Sequence, residues 1–316
     1  MAITKTKQIV MSKTADKRWK TVKKQANKVH DLVLIVVNYN GAFWLKQLLE
    51  TLGKNYLKQT KYKVKVVVVD NGSSDDSERF LRHQSVAEVI LTGRNLGFSG
   101  ANNIALRENQ NSRYLMLINS DIEFLEWPQS NLDKLIEYMD QHPKTGVMTP
   151  RLSLTNGELD PASHRGEPTP WAAISYFMGL EKLWPGVKFF SGYHQYYKDL
   201  DKIHQVEAVS GAAMMVRGSA LGKIGLLDER FFMYAEDLDW ARRFREGGWK
   251  VVFNPEANLI HYKNKSGIEN DDAKVSKKTN IYFWNTMVQY YDKYYPKNWL
   301  FKFFLRGFVF VKKGGW

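Results

Sequence analysis

Leu32-Val33-Leu34-Ile35-Val36-Val37-Asn38-Tyr39-Asn40-Gly41 decides the fold class. Six consecutive apolar residues leave no polar face, so the segment predicts a strand buried on both sides. The polar Asn-Tyr-Asn-Gly that follows predicts a turn. Phe43, Leu45, Leu48, Leu49 and Leu52 then recur at helical spacing over residues 43–57. This unit repeats. Val64 to Val69 is apolar but for Lys65, ends in Asp70-Asn71-Gly72-Ser73-Ser74-Asp75, and leads to a helix from about Ser77. Val89-Ile90-Leu91 is a third strand; a glycine-containing loop, Asn95 to Gly100, and a helix over Ala101 to Glu108 follow. Tyr114 to Ile118 is a fourth strand, ending in Asn119-Ser120-Asp121. Such alternation predicts an α/β fold with a Rossmann-like, mostly parallel sheet flanked by helices.

Ligands bind beyond the carboxyl ends of the strands in sheets of this kind. Asn38–Asn40, Asp70–Asp75 and Asn119–Asp121 all fall at those ends, so three strands carry acids and amides to one rim. Further on, 150–210 is aromatic-rich and broken by Pro150, Pro161, Pro168 and Pro170, and reads as loops over the site. Val209 to Val216 and Trp249 to Phe253 read as further strands. The domain reading is a basic arm over 1–30, a catalytic domain over 31–266, and a helical, aromatic C-terminal extension over 267–316.

Charge constrains the partners. The 316 residues carry a formal net charge of +13, which calls for a negatively charged partner. Residues 1–30 contain nine Lys or Arg against Asp16 alone, without an apolar run of signal-peptide length. The basic residues gather at the termini rather than interleaving with aromatics, which disfavours nucleic acid. With no cysteine, a metal must sit on Asp, Glu, His or Asn, and a reducing cytoplasm fits. Positions 299, 300, 303, 304, 307 and 308 form an apolar helical stripe, with Lys302 and Arg306 on another side. The stripe predicts an interfacial membrane helix; the alternatives are packing on the protein's own core or against a second copy, a homodimer through this region.

Several residues are candidates for chemistry, each with a plainer reading. Asp121 can hold a hard divalent cation against a diphosphate, or cap a turn. Asp70 can meet a base or ribose, or serve turn chemistry with Ser73 to Asp76. In Asp228-Glu229-Arg230-Phe231-Phe232-Met233-Tyr234-Ala235-Glu236-Asp237, an aromatic run leads into adjacent acids. A partly desolvated carboxylate there suits a general base; acids at a helix N-terminus are the alternative. His261 is a metal ligand or a structural histidine. The loop carrying Asn95, Gly97 and Asn103 can approach phosphates; no dinucleotide fingerprint or P-loop is present.

Together these segments resemble glycosyltransferase family two, the GT-A fold, and within it the bacterial rhamnosyltransferase-like members, from about Leu32 to Ser266. The resemblance implies that Asn38, Tyr39 and Asn40 line the donor nucleotide pocket and that Asp70 meets a pyrimidine. Asn119-Ser120-Asp121 is similar to the family's Asp-x-Asp motif, with Asp121 as metal ligand and Asn119 in place of the first acid. Glu236-Asp237 is similar to its Glu-Asp motif, with Asp237 as the base, and His261 to its late metal-ligating His. Arg165 occupies a similar Arg-containing loop and is expected at diphosphate or acceptor. The implied activity is inverting, Mn²⁺- or Mg²⁺-dependent transfer of a sugar, L-rhamnose from dTDP-L-rhamnose or a sugar from a UDP donor. The implied acceptor is a glycan, or a polyprenyl-diphosphate-linked glycan, at the inner face of the cell membrane. The alternative is a non-catalytic membrane scaffold of the same fold.

Overall fold

The computed structural model describes residues 29–263 and 273–312; the basic arm, but for Val29 and His30, and the expected boundary at 266 lie outside them. In chain order the elements are β1 (Leu32–Asn38), α1 (Ala42–Leu52), β2 (Val64–Asp70), α2 (Ser77–His83), β3 (Glu88–Leu91), α3 (Gly97–Glu108), β4 (Tyr114–Asn119), β5 (Ile122–Phe124), α4 (Asp133–Gln141) and β6 (Thr145–Ser153). Then come α5 (Pro170–Phe177), α6 (Leu180–Leu183), β7 (His204–Val206), β8 (Ala213–Arg217), α7 (Leu221–Ile224), α8 (Glu236–Glu246), β9 (Lys250–His261), α9 (Ala273–Tyr294) and α10 (Trp299–Lys312).

One sheet runs in the order β3-β2-β1-β4-β8-β6-β9-β5, with β7 also on β9. The β3-β2-β1-β4 half is wholly parallel, as the alternation demands. The other half is mixed: β8 runs antiparallel to both β4 and β6, while β6 and β9 are parallel. Both faces are covered, which is why the strands read as unbroken apolar runs. Leu32, Leu34 and Val36 pack with Leu45, Leu48 and Leu49 of α1 on one side. Val33 and Ile35 pack on the other with Ala101 and Ala105 of α3 and Trp240 and Phe244 of α8.

Three differences from the sequence reading have local causes. Helix α3 begins at Gly97 rather than Ala101. Gly97 has φ +77°, and a Cβ there would lie 2.5 Å from the Phe232 carbonyl oxygen. Asn95 Oδ1 accepts from the Gly97 amide, which starts the helix within the expected loop. Strand β6, which the sequence did not announce, holds Gly146 and Pro150, residues that weaken a strand; a register shift against β9 between Pro150 and Arg151 accommodates the proline. Strand β9 runs eight residues past its expected end, through that irregularity, so that His261 pairs with Ile122 of β5. The 150–210 region contains the short helices α5 and α6.

The C-terminal helices are built onto the domain. Tyr294 OH donates to Asp239 Oδ1 at 2.6 Å, Lys293 pairs with Asp228 at 2.8 Å and with Asp239, and Tyr290 OH donates to Glu167 at 2.5 Å. Helix α10 packs on α9 and is held by Arg306 and Lys302 on Asp292.

Candidate active site

The rim at the carboxyl ends of β1, β2 and β4 is knit by its own polar side chains. Asn38 is fully buried; its Nδ2 donates to Asp70 Oδ2 and to Ser73 Oγ, each at 3.2 Å. Asp70 Oδ1 accepts from the Ser73 amide at 3.0 Å. Asn40, at φ +52°, donates its amide to Ser73 Oγ and accepts from the Ser74 amide. The two strand-end turns therefore form one platform, with Tyr39 exposed on it. Asp70 holds the turn, the plainer of its two sequence readings, and does so within the rim. Asn38 Oδ1 is buried without a hydrogen-bond partner.

On the far side of β1, Asp121 meets His261. Strands β5 and β9 bring them together across the Ile122–His261 register, with His261 Nε2 at 3.4 Å from Asp121 Oδ1. His261 Nδ1 is held by Asp160 Oδ2 at 2.8 Å, and Asp160 also accepts from Lys263 Nζ at 2.7 Å and the Ala162 amide. Burial alone would lower the histidine's proton affinity. Bonding to Asp121 and Asp160, and their charge, outweigh it and raise its pKa to about 9. Burial disfavours ionised Asp160, yet its bonds to His261 and Lys263 keep its carboxyl below the usual range. Two carboxylates thus converge on one ring, and a divalent cation bound there would displace the ring's Nε2 proton.

Asp237 opens α8. Its Oδ2 accepts from Arg165 at 2.7 Å and from the Gly211 amide at 3.2 Å; both side chains of the ion pair are almost wholly buried. The adjacent Ala212 carbonyl accepts from the Asn119 amide at 3.0 Å. One turn, Ser210–Ala212, therefore ties the end of β4 to Asp237. Glu236 is buried too; desolvation first, then the Asp237 charge, push its carboxyl well above the usual range.

The amino-acid pattern agrees: residues 33–203 match the model of glycosyl transferase family 2, and 184–315 match that of glycosyl transferase family group 2. The chain belongs to glycosyl transferase family 2.

The transferase is 26% identical over 246 residues to N-acetylglucosaminyl-diphospho-decaprenol L-rhamnosyltransferase of Mycobacterium tuberculosis, covering 74% of this chain and 77% of that one. Its fold is similar to the mannosyltransferase PcManGT from Pyrobaculum calidifontis in complex with GDP-Man and Mn²⁺ (17% identity, 92% of this chain and 72% of that one, TM-score 0.53). It is also similar to GalNAc-T7 with UDP, GalNAc and Mn²⁺ (14% identity, 74% of this chain, TM-score 0.53), of which it spans 44%. At such identities the likeness concerns the fold, which is GT-A.

The residues of the transferase fit a divalent cation at Asp121. Its Oδ1 is buried with no hydrogen-bond donor closer than His261 Nε2 at 3.4 Å, and that imidazole nitrogen is a second ligand type. Among the described residues no three His, Asp or Glu side chains close a cage. Two protein ligands would leave positions for phosphate oxygens and water. Asn119 and Ser120 are half-buried beside Asp121 at this strand end.

In the Asn95–Asn103 segment, Gly97 and Asn103 are buried against other parts of the chain. Asn103 donates to the Leu227 carbonyl and to Glu229, and accepts from the Leu227 amide. With Gly97 under Phe232, the segment packs on the approach to Asp237; only Asn95 of the three is exposed, and it accepts from Asn71. Glu123, two residues past Asp121, accepts from Gln47 and Tyr262.

Sequence reasoning missed Asp160, whose only local signal, Asp-Pro, reads as a turn cap. It placed Arg165 in the site without seeing that its partner is Asp237, 72 residues away.

Proposed function

We propose that this transferase moves L-rhamnose from dTDP-L-rhamnose, with inversion, onto a glycan carried on a polyprenyl diphosphate at the inner face of the cell membrane. The observation that carries the reading is the single turn, Ser210–Ala212, that links the Asp121 strand end to Asp237. It sets a leaving-group side and a proton-accepting side next to each other. The donor follows the resemblance and the rhamnosyltransferase relative; a UDP-sugar is the second reading, since the pyrimidine that the resemblance implies at Asp70 can be uracil as well as thymine.

Asp121 and His261 would hold the divalent cation, Mn²⁺ or Mg²⁺, which supplies positive charge for the leaving diphosphate. Asn38, Asn40 and Asp70 bind and orient the nucleoside. Asp237 takes the proton of the acceptor hydroxyl as that oxygen bonds to the anomeric carbon. The bond from that carbon to the nucleoside diphosphate breaks, and the proton remains on Asp237. Arg165 fixes one carboxylate oxygen of Asp237. Base assistance of this kind is worth roughly 10²–10⁴ in rate.

A thermal-shift panel of nucleotide sugars with and without Mn²⁺ or Mg²⁺ tests the donor, and product anomeric configuration tests inversion. Stabilisation by dTDP-L-rhamnose above UDP-sugars is expected. Equal response to all nucleotides, or none with metal, would sink the assignment.

A further inference from the structure

The α5–α6 hairpin and α10 leave their apolar sides uncovered. On α10, Leu305 and Val309 turn inward onto α9, while Phe303 and Phe304 are 67% and 64% exposed and Leu300 and Val311 more than half exposed. A step of ~100° per residue puts these on the side opposite Leu305. On the hairpin, Ala172, Ala173 and Ser175 face inward, and Glu181 is buried against His194 Nδ1 at 2.5 Å. Met178 and Leu183 stand 66% and 67% exposed. The two surfaces are continuous: the Phe177 ring lies 5.8 Å from both Trp284 and Phe308.

Charge selects the occupant. Residues 170–190 hold one acid, the buried Glu181, and 296–316 hold none. Lys182, Lys188 and Lys297 are exposed around the aromatics, while Arg306 and Lys302 share Asp292. An isologous contact with a second copy would set these cations against themselves. A bilayer with anionic headgroups accepts aromatic side chains at the interface and cations above it.

We propose that the α5–α6 hairpin and α10 form one docking surface for an anionic lipid bilayer. The proposal deepens the reading of a lipid-linked acceptor and rests on it. Helix α5 begins three residues after Glu167, in the loop whose Arg165 holds Asp237. The surface therefore sets the base near the membrane face that would present such an acceptor. Among the described residues no helix is long and apolar enough to cross a membrane.

The test is co-sedimentation of the full chain with phosphatidylglycerol-containing and pure phosphatidylcholine vesicles, alongside light scattering and the nucleotide-sugar thermal shift. Two double variants are compared: Met178→Ser/Leu183→Ser on the hairpin and Phe303→Ser/Phe304→Ser on α10. Binding to anionic vesicles that falls about tenfold or more in each, with the thermal shift by donor retained, supports the surface. A hairpin variant that binds as the wild type does overturns it, as does equal binding to both lipids. A wild-type dimer made monomeric by these substitutions, without vesicle binding, reassigns the face to a second copy. Vesicle binding without any nucleotide-sugar shift would instead sink the transferase reading and leave the surface standing.

Discussion

Replacing Asp237 by Asn separates two jobs of one carboxylate. The Arg165 and Asp237 side chains are 10% and 12% exposed, and they meet at 2.7 Å. Removing one charge of a buried pair strands the other, at a cost of about 3–5 kcal/mol. Here Asn Oδ1 can still accept from Arg165, and the Val209 carbonyl accepts from the same nitrogen at 2.9 Å. The loss therefore belongs at about 3 kcal/mol, the lower end of that range. Transfer should fall by about 10²–10⁴ while donor affinity changes little. Denaturant unfolding, calorimetric donor titration and a transfer assay read the three quantities. The double variant Arg165→Met/Asp237→Asn removes both charges and should recover most of the stability but none of the transfer. Turnover of Asp237→Asn within about threefold of wild type, against the 10² minimum for a general base, would remove Asp237 from that role. A double variant less stable than Asp237→Asn alone would refute the ion-pair account.

Four further outcomes follow from the same contacts. Glu236→Gln should leave transfer near wild type, because burial and the Asp237 charge already disfavour the ionised carboxyl; a loss approaching that of Asp237→Asn would move the base one residue back. Asp160→Asn should weaken Mn²⁺ binding in the presence of nucleotide by about 10–100-fold, the usual cost of losing a carboxylate behind a ligating histidine; unchanged affinity by calorimetry would contradict the Asp121–His261 site. Burial, then the neighbouring His204, holds His164 down at about 4. The unfolded chain binds that proton from about 6.5, so the stability His164 contributes is complete above about pH 6.5. Up to about 3 kcal/mol of it is lost as the pH falls toward 4. His164→Gln should flatten the stability curve in that window, and an unchanged slope would refute it. Gly97→Ala should destabilise by about 1–3 kcal/mol, since φ is positive and the new Cβ meets a backbone carbonyl; a neutral result in thermal unfolding would show that the Phe232 segment yields.

The parallel half of the sheet was legible because both of its faces are buried. That burial writes itself as Leu32–Val37 and Val64–Val69, and polar clusters then mark each strand end. Asn38, Asp70 and Asp121 could be placed on one rim by order alone, since parallel strands all end on the same side. The other half was not legible in this way: β6 carries Gly146 and Pro150, and β5 and β7 are three residues each, too short for any period to show. The packing of the Asn95–Asn103 segment was not legible for the converse reason. Glycine and asparagine suit phosphate contact and close backbone packing equally well, and only the Phe232 carbonyl above Gly97 distinguishes them.

By itself, then, the sequence determined the strand–helix order, the rim and the kinds of groups on it, because these follow from local pattern and from parallel chain direction. The pairings were decided by tertiary structure alone. Asp160 behind His261, Arg165 on Asp237, and Phe177 joining the hairpin to α10 each link positions tens of residues or more apart. No local spacing encodes such contacts; the long β9, the Ser210–Ala212 turn and the packing of α9 do.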